Sequence, residues 1–546
     1  MSLKETDVRY VPAETKRVAK AAFPNGSLAL FLRDELEGLY SDELFADLYG
    51  KRGKPAEAPW RLALVTILQF AGDLSDRQAA EAVQSKIDWK YALGLELTDT
   101  GFDFTVLSKF RKRLQTSNAA HRLFDELLKV CQAKSLIRKR GQARTDSTHV
   151  LAKVRALNRL GNYVETIRLA LNTIATKDPK WLKEWMPEVW YERYGERFES
   201  FHAPKQKKEV QALITTIAED GFVLLRKLYE ADTAYGLAEL PEVEILRKVW
   251  LQQYWLDNGK VRQRDTKDLP PASQLIISTY DIDARFGTKR ETRWIGYKLH
   301  VTETCDEDLA HLITHVETSE SSRHDSQQIP SIHKTLEEKE LLPEVHLVDA
   351  GYINTKLLLN SKTEYGIDLH GPLPEEKRWQ DDAYALSDFT ISWEAETALC
   401  PQGKQSISWR ETLTSRGNPS IRVCFSSKDC TPCHNRSLCT RSKNKKQARI
   451  LSFSPKEQFD TLMEARQTQK TEDWQSTYKT RSGIEGTISQ GVRAFGMRRS
   501  RYFGYTKTHF QHEVIATALN VVRLKHWFAQ KPRAQTRVSR LARLAA

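Results

Sequence analysis

Between residues 275 and 320 the texture of the chain changes. LIISTYDIDAR, GYKLHVTET and HLITHVETS are rich in β-branched residues, and each predicts a strand. EVHLVDAGY is a short apolar run that predicts a buried strand ending at Asp349. GQARTDSTHVLA, at 141–152, predicts a strand followed by a turn, with Asp146 at the strand end. The remaining segments have helical periodicity or none. Strands separated by such segments predict a mixed α/β fold with helices flanking the sheet.

The N-terminal part, 1–135, reads as helical. Pro59 opens one helix, with Leu62, Leu64, Val65 and Leu68 at helical spacing. Ser75 followed by Gln78 is a capping-box pattern. A third helix is expected from Thr105 to Leu114. Val106, Leu107, Phe110 and Leu114 form its apolar side, and Lys109, Arg111, Lys112 and Arg113 crowd the rest. A basic helix in a small bundle fits DNA binding, with Lys109, Arg111 and Arg113 as contacts. The same residues also fit a solvated charged face.

A first strand-bearing part is expected at 136–360, with a helical insertion at about 155–270. A second insertion at 361–455 is irregular and carries the cysteines. Helices resume at 456–530, and 531–546 is a basic tail. A helix is also expected from about Ser326 to Glu340, with Asp325 as its N-cap, the alternative for Asp325 being a further acidic neighbour of Asp146 and Asp349.

The net charge of +13 favours polyanionic partners, because each phosphate contact releases counterions. No stretch approaches the ~18 apolar residues of a membrane-spanning helix. The opening MSLKETDVRY has no apolar core, so no signal peptide is expected, and a cytoplasmic, nucleoid-associated location is.

Strand-end aspartates often only cap turns, so Asp146 and Asp349 singly say little. A third segment adds to them. In STYKTRSGIEGTISQGVRAFG, Tyr478, Arg481 and Glu485 share one face of a predicted helix, beside an apolar stripe of Ile484 and Ile488. An ordinary Arg–Glu surface pair would look the same. Three carboxylates on two strands and a helix, however, suit phosphoryl transfer assisted by divalent cations. Tyr478 and Arg481 would then hold a DNA phosphate.

These residues resemble the DDE triad of bacterial insertion-sequence transposases. Tyr478, Arg481 and Glu485 match the Y-x2-R-x3-E part of the YREK signature. Its last basic position falls on Val492; Arg493 is next, and Arg498, Arg499 and Arg501 follow, so the residue in that role stays open between them. APWRLALVTILQFAGDLSDRQAAEAV and FTVLSKFRKRL resemble the group's helical N-terminal domain. DARFGTKRETRWIGYKLHVTET resembles its central strands, and VDAGYINTKLLLNSKTEYGIDLHGP the segment around its second Asp. The resemblance implies an RNase H-like core, a mixed five-stranded sheet flanked by helices. It implies Asp146, Asp349 and Glu485 as catalytic ligands of Mg²⁺ or Mn²⁺, with Arg493 and Arg498 among the DNA contacts. It implies binding of terminal inverted repeats, metal-dependent endonuclease cleavage and strand transfer into target DNA. It also implies a homodimer or larger multimer on double-stranded DNA. A catalytically inactive DNA-binding descendant, or an RNase H-like nuclease without strand transfer, are the competing readings.

Five of the seven cysteines lie between Cys400 and Cys439. Cys430 and Cys433 form a C-x2-C half-site, and with Cys400 and Cys439 they could hold a structural Zn²⁺. Cys424 and His434 are substitutes, and unliganded reduced thiols are the alternative. Cys131 and Cys305 read as buried thiols. His149, His300, His324 and His346 read as structural, and Trp294 and Trp474 as core packing, with stacking on an extruded base as the alternative for the two tryptophans.

Overall fold

The computed structural model describes residues 2–4, 6–154, 159–198, 204, 206–230, 236–376, 378–415, 417–444, 446–533 and 544. Most of the basic tail, 534–543 and 545–546, lies outside them.

The centre is a mixed sheet of six strands. In chain order they are β1 (Gln142–Leu151), β2 (Arg285–Lys289), β3 (Thr292–Thr304), β4 (Ile313–Glu320), β5 (Val345–Val348) and β6 (Asp368–His370). Five of them run in the spatial order β4-β3-β1-β5-β6. β2 forms a hairpin with the start of β3. β3 is antiparallel to both β1 and β4, whereas β5 is parallel to β1 and β6 to β5. This is an RNase H-like arrangement, with the β2 hairpin added to the five strands.

Three sequence-based expectations change. LIISTYDIDAR forms no strand before Arg285. Its polar groups are committed elsewhere: the Thr279 amide donates to Asn162 Oδ1, and Asp281 accepts from the Tyr297 hydroxyl and the Gly504 amide. The segment is a buried bridge, not a ladder. Secondly, Asp146 is not at a strand end, because β1 continues to Leu151 and pairs with β3 along its whole later half. Thirdly, the second insertion starts later than residue 361. Helix Thr355–Tyr365, closed by Gly366 in the left-handed conformation, leads into strand β6, which pairs with β5 in the sheet.

The helical N-terminal part has only a small cluster of its own, around Ala19, Leu30 and Tyr91, and shares its main core with the sheet. Leu62, Val65, Phe70, Phe110, Leu127 and their neighbours share one apolar cluster with Leu299 and Val301 of β3 and with Val514, Ile515 and Leu519. The last three lie on helix Tyr505–Phe528, which packs between β4 and the N-terminal helices. Its Asn520 side chain accepts from the Ile313 amide and donates to the Ile313 carbonyl, both at 2.8 Å, so an edge-strand backbone is satisfied inside the core. The capping box at Ser75 and Gln78 is formed.

The insertion near 155–270 is different. Its helices, including Arg159–Lys177, Lys207–Leu228 and Pro241–Gln253, enclose a separate apolar cluster around Ile167, Ile217, Leu246 and Trp250. The cysteine-bearing insertion has a third, smaller cluster around Phe389, Val423 and Phe453.

Candidate active site

Register brings the first two carboxylates together. β1 and β5 are parallel, and Thr145 pairs with Val348 at the end of the ladder. One step further along each chain stand Asp146 and Asp349. Asp349 leaves the strand in an extended conformation, and its carboxylate accepts from the Ala350 amide. Asp146 likewise accepts from the Ser147 amide at 2.7 Å.

Residues 144, 146 and 148 share one face of β1, since side chains alternate along a strand. That face meets β3 and the C-terminal segment around 480–498 at three points. Arg144 forms an ion pair at 2.6 Å with Glu303, which is wholly buried. Glu303 also receives Arg523 at 2.7 Å and the Thr487 hydroxyl at 2.6 Å. Burial pushes the Glu303 carboxyl up, but Arg523 and Arg144 outweigh it and hold it low. Thr148 accepts from Arg498 Nε at 2.7 Å. Between these two anchors, Asp146 faces Arg481, 3.3 Å away.

The segment carrying Arg481 is not a single helix. Helix Glu472–Lys479 passes through a 3-10 turn, Thr480–Ser482, into helix Gly483–Phe495. The turn is fastened where Arg144 donates to the Thr480 carbonyl. Gly483 leaves room for the same guanidinium, which a Cβ there would meet. Ile484 and Ile488 are buried, as an inward stripe should be. Glu485 follows in the first helical turn, where a carboxylate is favoured by the helix dipole. Its side chain is 69% exposed and lies 3.8 Å from Arg481. Tyr478 donates to the Val348 carbonyl at 3.1 Å, beside Asp349, and stacks on Trp474. Arg481 therefore sits among all three acids. Burial alone would lower its pKa, but Tyr478, Asp146 and Asp349 raise it. The pKa of Asp146 is also raised, first by burial and then by Asp349, against the Ser147 amide, Lys289 and Arg481.

Of the further charged neighbours, Lys289 and Lys298 escaped the sequence reading. Lys289, at the end of β2, acts on Asp146 electrostatically and lies 3.5 Å from the Ser147 hydroxyl. Asp325 does not cap a helix: it opens the 3-10 turn Asp325–Gln327, and the N-cap of helix Ile329–Glu338 is Gln328. Instead Asp325 pairs with Lys298 at 3.0 Å and accepts from Ser147 at 3.2 Å. Burial pushes its carboxyl up, and Lys298 more than compensates. The only hint in the sequence was the alternation of GYKLH, which puts Lys298 and His300 on one face. His300 is buried between Tyr352 and Ser319, His346 between Thr145 and His333, and Trp294 against the Tyr297 carbonyl. These three are structural. Trp474 is only half-buried.

Of the N-terminal basic residues, Lys109 is exposed, but Arg111 is not available to DNA. It is buried, paired with Asp76 and set over the Tyr502 ring. Helix Thr105–Thr116 turns this residue inward, where the pair joins it to the capped helix Asp76–Ser85. Arg113 is half-buried, bonded to the Leu48 carbonyl and placed over Tyr49. Arg493 is exposed.

Cys400, Cys430, Cys433 and Cys439 line one cavity of about 40 Å³, and neither Cys424 nor His434 is among its lining residues. Among the described residues, no three His, Cys, Asp or Glu side chains are grouped as ready metal ligands. No described helix is long and apolar enough to cross a membrane.

Residues 18–113 match the family described as Transposase domain (DUF772), and residues 399–525 match the Transposase DDE domain. The second match covers the cysteine-bearing part of the insertion, from residue 399, and the segment with Tyr478, Arg481 and Glu485. No curated protein matches the chain.

Proposed function

On the premise that this chain is a DDE transposase of an insertion element, as its two transposase domains indicate, we propose that it cleaves and joins DNA with Asp146, Asp349 and Glu485 as its catalytic carboxylates. The observation that carries this reading is the contact of Arg481 with Asp146, 335 positions away in sequence, while the same guanidinium reaches Glu485. The donor set is all hard carboxylate oxygen, which fits Mg²⁺ or Mn²⁺. Asp146, Asp349 and Glu485 would hold the cation, which supplies activation of the attacking oxygen and stabilisation of the leaving one.

The chain's own residues do the rest. The Arg144–Glu303–Arg523 cluster fixes the helix that bears Glu485 against β1. Tyr478 ties that segment to the strand end at Asp349. Arg481 offsets the mutual repulsion of the acids before substrate arrives and is placed to meet a DNA phosphate afterwards. Exposed Arg493 and Lys109 and half-buried Arg498 add backbone contacts. In this reading the chain binds the terminal inverted repeats, hydrolyses a strand at the element boundary and directs the freed 3′-OH onto a target phosphodiester. It acts at the nucleoid, as a dimer or larger multimer, because two element ends must be held together.

The deciding assay is cleavage of a labelled duplex carrying the native element end, with Mg²⁺, Mn²⁺ or EDTA, using wild type and Asp349→Asn. Metal-dependent nicking at the boundary, lost in the variant, is expected. Binding without nicking under every metal condition would favour an inactive DNA-binding descendant. Nicking with no joined product would favour a nuclease.

A further inference from the structure

The cysteine-bearing insertion has little to hold it together. Its apolar cluster consists of a few residues, among them Phe389, Ile421, Val423, Phe425 and Phe453, and its three-stranded sheet has short strands. Cores this small usually need a staple. Two of its helices, Ser427–Cys430 and Arg436–Cys439, have four residues each. Helices of that length are not stable by themselves. Each ends in a cysteine, and both cysteines line the same cavity as Cys400 and Cys433.

The fourth strut comes from the CPQGK turn. The Cys400 amide donates to the Lys404 carbonyl at 2.8 Å, and Gly403 closes the turn with positive φ. The Lys404 amide then points at Cys400 Sγ, 3.3 Å away. A backbone N–H directed at sulfur steadies a thiolate ligand. The Lys404 ammonium reaches Asp429 at 3.8 Å, linking this turn to the helix that ends at Cys430. Arg449 donates to the Cys439 carbonyl at 2.8 Å and closes the opposite side. None of the seven cysteines is in a disulfide. Four thiols from three separate local structures thus converge on one small cavity, and they are the chemistry that Zn²⁺ prefers.

We propose that Cys400, Cys430, Cys433 and Cys439 bind one structural Zn²⁺ that organises this insertion. Binding would replace the protons of the four thiols. The site takes no part in cleavage, and the inference does not depend on the assignment of the carboxylates.

The test is metal analysis of the full chain, purified without added metal or a metal-affinity step. About one zinc per chain is expected. Cys433→Ser and Cys439→Ser should each reduce it to under about a tenth of that. Cys305→Ser, Cys424→Ser and Asp349→Asn should retain it, which separates this site from the carboxylates. If the cysteine variants misfold, cobalt substitution of the wild type decides, since tetrahedral thiolate ligation gives intense visible and charge-transfer bands. Absence of zinc together with absence of those bands, zinc retained in Cys433→Ser and Cys439→Ser, iron with acid-labile sulfide, or disulfides among the four residues would each overturn the proposal.

Discussion

Arg481 Nη1 lies 3.3 Å from Asp146 Oδ2, and Nη2 of the same group lies 3.8 Å from Glu485 Oε1. One cation thereby joins the middle of the first core strand to the first turn of a helix near the other end of the chain. Arg481→Ala should lower cleavage by about 10–100-fold, the usual range for a residue that orients ligands. Asp146→Asn, Asp349→Asn and Glu485→Gln should abolish it. Element-end binding, read by gel shift, should survive in all four. Normal cleavage by Glu485→Gln would remove that residue from the catalytic set.

Glu303 is buried between two arginines, so removing it leaves both uncompensated. Glu303→Ala should cost about 3–5 kcal/mol, as loss of one partner from a buried ion pair does. Denaturant unfolding of the full chain measures it. An unchanged midpoint would mean that the cluster does not anchor the helix bearing Glu485.

Gly483 lets the Arg144 guanidinium pass. Gly483→Ala should shift the 3-10 turn and reduce cleavage more than it reduces thermal stability, because overpacking here displaces Arg481 and Glu485 directly. Equal cleavage in glycine and alanine forms would contradict this.

Lys109 and Arg111 are two positions apart but should behave oppositely. Lys109→Ala should weaken DNA binding across all sequences and reduce its salt dependence by about one phosphate contact. Arg111→Ala should lower the melting temperature instead, since it leaves Asp76 unpaired. Salt titrations of binding beside thermal melts separate the two effects.

Glu513 is buried in the helix that joins the sheet to the N-terminal helices, and burial pushes its carboxyl up to about 8. A folded-state pKa above the unfolded one means that its contribution is full below about 4.5 and is lost as pH rises through about 8. Glu513 should therefore contribute a fall in stability across that window, against the rise toward pH 6.5 contributed by buried His300, His333 and His512, whose pKa values burial lowers. Glu513→Gln should flatten the fall, measured as melting temperature against pH. Parallel profiles would show that Glu513 is not the group responsible.

Much of this site was legible because its signals are local. Periodicity places Leu62 to Leu68 and Ile484 with Ile488 on helices, and the spacing of Tyr478, Arg481 and Glu485 is readable over eight residues. A C-x2-C pair is equally local. Charge and residue type were enough to suggest the carboxylates and the cation they suit. What the sequence could not decide was pairing across distance. Only strand register sets Asp146 beside Asp349, and only packing turns Arg111 into the core while Lys109 stays in water. LIISTYDIDAR has the composition of a strand, yet Asn162, Tyr297 and Gly504 claim its polar groups. Lys289, Lys298 and Asp325 gain their place near Asp146 from the hairpin and the ladder, which no window of sequence contains. Local propensity is written in neighbouring residues; the position of a charge relative to a distant carboxylate exists only once the sheet has closed.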